Sequence, residues 1–287
     1  MFVYKQYDQE SLDIQYNNRL HVPEYADYFN RWERLSRQTE QELPVIKDLR
    51  YGDLPRERLD IYPSLLPHAK TLVFLHGGYW HMLDKSPFQF IANGFHSYPV
   101  TTVLLTYPLA PEASIDQIVF SCRKAIGWLY NNLSAFNGDP QQMYVAGHSA
   151  GGHLAAMLMA TDWPTFAPGL PVNLLKGVCV VSGLFDLVPI HLSYLNRVLQ
   201  MDIETAESNS PVRLEPLNPC PFIVAVGEAE TAEFNDQSKE LYACWKHKGI
   251  DIQLLVLPGQ NHYSIVETIV DPQSALHQAL LHFMKIE

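Results

Sequence analysis

Gly147-His148-Ser149-Ala150-Gly151 sets a serine between two glycines, with an apolar run, Met143 to Ala146, before it and a helix-forming stretch, Gly152 to Ala160, after it. A G-x-S-x-G pentapeptide carries meaning in one setting, a buried strand that turns sharply into a helix. Glycines lack a Cβ, so strand and helix can close on each other while the serine takes a strained backbone conformation. Its Oγ then projects at the helix N-terminus, where backbone N–H groups favour developing negative charge. The chemistry this allows is nucleophilic attack on a carbonyl carbon. It needs a base, a group that orients the base, and donors for the oxyanion.

Each helper has a candidate. The buried-strand pattern Thr71–Leu75 runs straight into His76-Gly77-Gly78-Tyr79-Trp80, where side-chain-free Gly77 and Gly78 let their N–H groups face a substrate oxygen. His76 is expected to brace this loop. Tyr79 and Trp80 are expected to meet an aromatic leaving group, the rival reading of Trp80 being packing beneath the loop. For the base, the last strand pattern leads into Pro258-Gly259-Gln260-Asn261-His262-Tyr263. Of the twelve histidines, His262 alone follows that strand in a turn-rich loop before a C-terminal helix. His148 is too near Ser149 along the turn to present its ring to Oγ and is read as pocket lining or packing. His247, His277 and His282 fall on helical surface patterns and are expected to be solvated. For the acid, Glu228, Glu230, Glu233 and Asp236 lie within nine residues. Glu233 and Asp236 suit the first turn of a helix, and Asp186, at the end of the preceding strand pattern, is a rival.

Those residues must be held by a sizeable fold. With 287 residues, 47% hydrophobic and 18% charged, the chain suits one large α/β domain with a well-buried core. A formal charge of −11 and the absence of any basic run argue against nucleic acid or an anionic membrane as partner. The N-terminus has no apolar h-region and the apolar stretches are strand-sized, so a soluble, cytoplasmic protein without a signal peptide is expected. Cys122, Cys179, Cys220 and Cys244 are widely spaced and read as free thiols of a reducing compartment. No Cys/His pairing has the spacing of a metal site; His148 and His153, five apart, miss the i, i+4 of a helical zinc pair.

Strand patterns occur at 58–62, 71–75, 102–107, 143–146, 177–182, 222–226 and 253–257. Helical patterns fall at 115–136, 150–160, 232–247 and 274–284. This alternation predicts a mostly parallel sheet of about eight strands flanked by helices. Residues 1–45, with a helix through 25–35, form an N-terminal extension or cap ahead of a main domain at 46–287. The Pro-rich stretch 187–218 breaks the alternation and suits either a cap insertion or a surface excursion.

With these residues in hand, the chain resembles the α/β-hydrolases of the hormone-sensitive-lipase-like group, through His76-Gly77-Gly78, Tyr107-Pro108-Leu109-Ala110-Pro111-Glu112 and Gly147-His148-Ser149-Ala150-Gly151-Gly152. Within that group it is most similar to the arylformamidases (kynurenine formamidases), whose H-G-G-x-W pattern matches His76-Gly77-Gly78-Tyr79-Trp80. Glu233-Phe234, Gln237-Ser238 and the setting of His262 add to the likeness, which covers roughly residues 45 to 287; the segment around Tyr16-Asn17-Asn18-Arg19 also looks like that of related bacterial proteins. The resemblance implies an oxyanion hole from Gly77, Gly78 and Ala150. It also implies an acid three residues beyond the glycine ending the penultimate strand, which selects Glu230, with Glu228 second. The order Ser149, Glu230, His262 is that of the α/β-hydrolases. One departure stands out: the formamidases usually carry Asp where this chain has Glu230.

The implied activity is serine-dependent removal of a small, formyl-like acyl group from an aryl amide, with Tyr79, Trp80 and His148 at the substrate and no metal or organic cofactor. The alternatives are a carboxylesterase acting on short-chain esters and a non-catalytic binding protein on the same scaffold. A small molecule is the implied partner, and a homodimer is left open.

Overall fold

Strands rich in Val, Leu, Ile and Phe must be covered on both faces, and the fold supplies both covers. The computed structural model describes residues 1–286. Its strands are β1 (Ile46–Arg50), β2 (Arg58–Tyr62), β3 (Ala69–Leu75), β4 (Val100–Thr106), β5 (Gly138–His148), β6 (Leu175–Val181), β7 (Phe222–Gly227) and β8 (Ile252–Leu257). They form one sheet in the order β1-β2-β4-β3-β5-β6-β7-β8. β2 runs antiparallel to both neighbours and all other pairs are parallel. All seven expected strands are present. β1 was not expected, and the reason is visible: Ile46-Lys47-Asp48-Leu49-Arg50 is an edge strand with four of its five residues exposed, so no apolar run marks it.

Successive side chains of a strand point to opposite faces, and the core divides accordingly. Val73, Leu75, Val103, Leu105, Val145, Val178, Val180, Val224 and Val226 pack one face. Leu72, Phe74, Leu104, Tyr144, Ala146, Cys179, Val181, Ile223 and Ala225 pack the other.

The helices are α1 (Gln9–Gln15), α2 (Asn18–His21), α3 (Tyr25–Glu42), α4 (Phe90–Phe95), α5 (Ile115–Asn132), α6 (Ala150–Met159), α7 (Trp163–Phe166), α8 (Val188–Leu192), α9 (Asn196–Leu199), α10 (Ile203–Ser208), α11 (Ala232–His247), α12 (Ser264–Glu267) and α13 (Ala275–Phe283). α5, α6 and α11 cover the first face, and α3, α4, α12 and α13 cover the second. α5 starts at a full capping box, Ser114 with Gln117, which satisfies two otherwise orphaned N–H groups. His277 departs from its expected place at the surface. It lies fully buried in α13, its ring 5.2 Å from Phe95 and Nδ1 donating to the Ile269 carbonyl at 2.8 Å. It shares one buried face of α13 with Leu276, Leu280 and Leu281, and an imidazole on that face is not a residue type that marks burial.

Two segments outside the strand–helix alternation reach the C-terminal ends of the parallel strands. The N-terminal helices are fastened there by Tyr16, whose hydroxyl lies 3.3 Å from Glu233 Oε2 and accepts from Gln237 Nε2 at 2.9 Å. Trp32 of α3 is buried and donates Nε1–H to Glu267 at 3.1 Å. The chain from α8 to α10 meets α1 through Asp13, which accepts from the Tyr194 amide at 2.8 Å.

Candidate active site

Ser149 lies at the corner between β5 and α6 with φ 57° and ψ −121°, a conformation that costs a non-glycine residue about 1–3 kcal/mol and persists only where surroundings enforce it. They do so by contact. A Cβ on Gly147 would fall 2.1 Å from the Gly151 carbonyl oxygen, and one on Gly151 would fall 2.1 Å from that of Leu75. The Ser149 amide is tied to the Val181 carbonyl at 2.8 Å, locking the corner to β6.

His262 follows β8 and brings its Nε2 to 3.1 Å from Ser149 Oγ. Its Nδ1 lies 2.7 Å from Glu230 Oε2. A carboxylate can only accept, which assigns the ring proton to Nδ1 and leaves Nε2 as the acceptor for the serine O–H. Glu230, in the turn after β7, takes the Gly227 N–H at 2.8 Å and the Ser182 hydroxyl at 2.5 Å on its other oxygen, Oε1. The Glu230 side chain is 1% exposed and that of His262 7%, so all three groups interact in a medium that screens them poorly. Glu228 instead accepts from the Gly259 amide at the surface, and Asp186 from the Val188 amide, 3.9 Å from Arg213.

The loop after β3 passes over the serine. Gly78 has φ +114°, and a Cβ there would meet the Met82 carbonyl oxygen at 2.2 Å, so only glycine fits. Among the described residues the N–H groups of Gly77, Gly78 and Ala150 donate to no acceptor. His76 braces the loop as expected: its Nδ1–H donates to the Gly77 carbonyl at 2.7 Å and its ring stacks on Tyr107 at 4.2 Å. Burial drives its pKa down to about 4.

His148 does something its position did not announce. Nε2 lies 2.9 Å from the main-chain carbonyl of His262, so it carries the proton and ties the serine corner to the histidine loop. Burial, then the neighbouring His262 ring, holds its pKa well below the ordinary value. Sequence reasoning missed both this tether and Ser182. Ser182 follows β6 and carries no sequence signature of its own.

Ser149, His148, His262, Gly77, Gly78 and Tyr79 share a cavity of about 280 Å³. Tyr79 donates its hydroxyl to the Tyr16 carbonyl at 2.6 Å and accepts from Asn18 at 3.1 Å. Phe29, Trp32, Phe88, Tyr194 and Tyr263 make the walls aromatic, so the N-terminal helices and the 187–218 stretch both contribute to the cavity. Trp80, expected at the substrate, lies elsewhere. It is fully buried beneath the loop, with Nε1–H donating to His153 Nδ1 at 3.1 Å. Its φ of 59° turns the chain there, and the indole follows into the core.

A family model described as the alpha/beta hydrolase fold matches residues 72–266. The chain belongs to the α/β-hydrolases. Kynurenine formamidase of Salmo salar is 35% identical over 245 residues, covering 82% of this chain and 80% of the relative. An isoprenylcysteine alpha-carbonyl methylesterase of Arabidopsis thaliana is 29% identical over 241 residues, 76% of this chain and 56% of that protein. Among solved structures, a Silicibacter protein with a provisional thioesterase name superposes with a TM-score of 0.82 at 30% identity, over 92% of this chain and 97% of that one. This α/β-hydrolase therefore has the sheet and crossings expected of the lipase-like group, with α1–α3 added in front of them. No helix among its described residues is long and apolar enough to cross a membrane.

Proposed function

We propose that this α/β-hydrolase uses Ser149, His262 and Glu230 to remove a small, formyl-like acyl group from an aryl amide, the reaction for which its kynurenine formamidase relatives are named. One observation carries the reading: an unbroken hydrogen-bonded chain runs from Ser149 Oγ through His262 to Glu230, beside three N–H groups that have no acceptor among the described residues.

In this mechanism Ser149 Oγ attacks the acyl carbon while His262 Nε2 takes the hydroxyl proton. Glu230 holds the tautomer and stabilises the imidazolium as charge develops. The N–H groups of Gly77, Gly78 and Ala150 receive the oxyanion, each worth about 3 kcal/mol in the transition state. His262 then gives its proton to the leaving arylamine, the C–N bond breaks, and water repeats the sequence on the acyl-serine. A formyl group needs little room beside the serine, and the aromatic walls of the cavity suit an aryl leaving group. The four cysteines are free, which fits work in a reducing cytoplasm.

The Arabidopsis methylesterase relative favours one second reading, hydrolysis of short-chain esters with the same groups in the same roles. Comparing N-formylkynurenine with p-nitrophenyl acetate on one preparation separates the two. A kcat/KM for the formamide below that for the ester would reject the amidase. Failure of a fluorophosphonate to label Ser149 would reject both and leave a binding protein.

A further inference from the structure

A second cavity, about 900 Å³ against the 280 Å³ of the one that holds Ser149, lies against α5, and the two have no lining residue in common. Its walls expose two large apolar side chains, Phe120 at 52% and Leu54 at 47%. Apolar surface gathered around a concavity marks a binding site. The charges on the walls divide into spent and unspent. Glu57 and Lys124 hold each other at 2.9 Å, and the Arg56 guanidinium donates to the Tyr107 and Leu83 carbonyls. Half-buried Arg123 has one partner, the Thr161 hydroxyl, which accepts from Nε at 2.9 Å; neither Nη has an acceptor among the described residues. Asp116 Oδ1 accepts from Asn209 Nδ2 at 2.7 Å, which leaves Oδ2 open, and Glu112 lines the same cavity.

Asp116 and Arg123 are seven residues apart on α5, so they share a face about 10 Å apart along the axis, with Phe120 between them. An extended chain advances about 3.4 Å per residue, so three residues span that interval. An ammonium then meets the acids, a carboxylate meets the guanidinium fork, and apolar side chains rest on Phe120 and Leu54. Gln117 Nε2, without an acceptor among the described residues, stands on the same wall for a main-chain carbonyl. A simple amphipathic anion would fill the fork and leave the acids facing its tail.

The cavity also backs onto the oxyanion loop. The carbonyl of Asn209, a wall residue, accepts from His153 Nε2 at 2.8 Å, and His153 Nδ1 accepts from Trp80 Nε1 at 3.1 Å. Leu109 is another wall residue, and its neighbour Ala110 donates its N–H to the Trp80 carbonyl at 2.9 Å. The walls thus hold both the indole and the main chain of Trp80, two residues beyond Gly78 in the loop that passes over Ser149.

We infer that this cavity is an effector site for a short apolar peptide in its zwitterionic form, and that its occupation steadies Trp80 and speeds reaction at Ser149. The site stands on its own geometry; only its effect rests on the hydrolase reading. Leucyl-glycyl-leucine would be titrated calorimetrically into the full chain, beside its N-acetyl and C-amide forms and decanoate. The free tripeptide is expected to bind most tightly. Arg123→Gln should weaken it by about tenfold, the worth of a charge-assisted pair, and leave the C-amide form unchanged. Asp116→Asn, which can still accept from Asn209, should weaken it by a smaller factor and leave the N-acetyl form unchanged, since a more exposed charge is worth less. Unchanged binding of the blocked forms reports an intact cavity, and Arg123→Lys should restore part of the loss. Equal affinity for free and blocked peptides, equal affinity for decanoate, or no binding at millimolar concentration would overturn the site.

The coupling is read from the rate at which a fluorophosphonate labels Ser149. Saturating tripeptide should raise that rate by at least about fivefold, the lower end of usual allosteric couplings, because occupied walls hold the oxyanion donors in place. Trp80→Phe removes the N–H that His153 accepts, so it should keep the peptide affinity and lose most of the rise. An unchanged or slower rate with bound peptide would overturn the effector role. A protein that is not labelled with or without peptide would overturn the hydrolase reading and the coupling together, while the titration still decides the site.

Discussion

The Ser182 hydroxyl donates to Glu230 Oε1, on the opposite side of the carboxylate from the oxygen that holds His262 Nδ1. With the Gly227 amide it fixes the plane of the carboxylate, and through that plane the direction of the imidazole. Glutamate has one more rotatable bond than the aspartate usual at this position, so its carboxylate needs more restraint to present the same edge. Ser182→Ala should therefore lower kcat by about tenfold with KM little changed, since misorientation of a general base weakens the transition state selectively. Steady-state kinetics on the preferred substrate checks this, and an unaltered kcat would show that Gly227 alone suffices.

Glu230→Gln is expected to be far more severe, with kcat falling by about 10⁴-fold, because an amide can stabilise the wrong imidazole tautomer and cannot balance an imidazolium. Glu228→Gln and Asp186→Asn serve as controls, since their carboxylates accept hydrogen bonds away from the imidazole. If Asp186→Asn lost activity while Glu230→Gln retained it, the acid would have been misassigned.

The serine corner can be tested through its glycines. Gly151→Ala would put a methyl 2.1 Å from the Leu75 carbonyl oxygen and 2.6 Å from that of His76, both rigid backbone. It should destabilise the fold by more than about 3 kcal/mol or prevent soluble expression. Gly127→Ala in α5 provides the opposite sign. The added methyl meets only Leu170 Cδ1, at 3.6 Å, and alanine is favoured over glycine in a helix by about 1 kcal/mol. Urea melts of the two variants should shift in opposite directions. A normal midpoint for Gly151→Ala would mean that the contact between β3 and α6 yields to a methyl group without cost.

What the sequence disclosed and what it withheld differ in kind. The interior strands and the candidates Ser149 and His262 were legible because apolar runs mark buried strands and because such groups fall at strand ends, whereas Glu230 stood among several carboxylates and only the family resemblance singled it out. β1 was invisible since an exposed edge strand has no apolar run. Trp80 was misplaced because a large aromatic beside a catalytic loop looks the same whether it faces the cavity or the core; its φ of 59° and the partner at His153 decide the matter, and neither is written locally. Ser182 and the His148 tether depend on contacts between segments 48 and 114 residues apart. No spacing rule reaches that far.

Buried histidines should make the fold acid-labile. His153 uses both ring nitrogens in the neutral form, Nε2–H donating to the Asn209 carbonyl at 2.8 Å and Nδ1 accepting from Trp80. Protonating Nδ1 would set two N–H groups against each other around a fully buried ring. Burial accordingly lowers the pKa of His153 to about 4, as it does for His76. In the unfolded chain both titrate at about 6.5, so between those values the unfolded state binds more protons than the folded one. The stability they confer is complete above about pH 6.5 and is lost as pH falls toward 4, at about 3 kcal/mol for each histidine. Two such groups amount to much of the 5–15 kcal/mol typical of a folded domain. Urea unfolding followed from pH 7 to 4.5 should show the free energy dropping steeply, and His153→Gln, which can still donate to Asn209 and accept from Trp80, should flatten the slope by about one proton in this range. A stability that stayed constant from pH 7 to 4.5 would mean that these rings find water or a counter-charge that the packed interior does not offer.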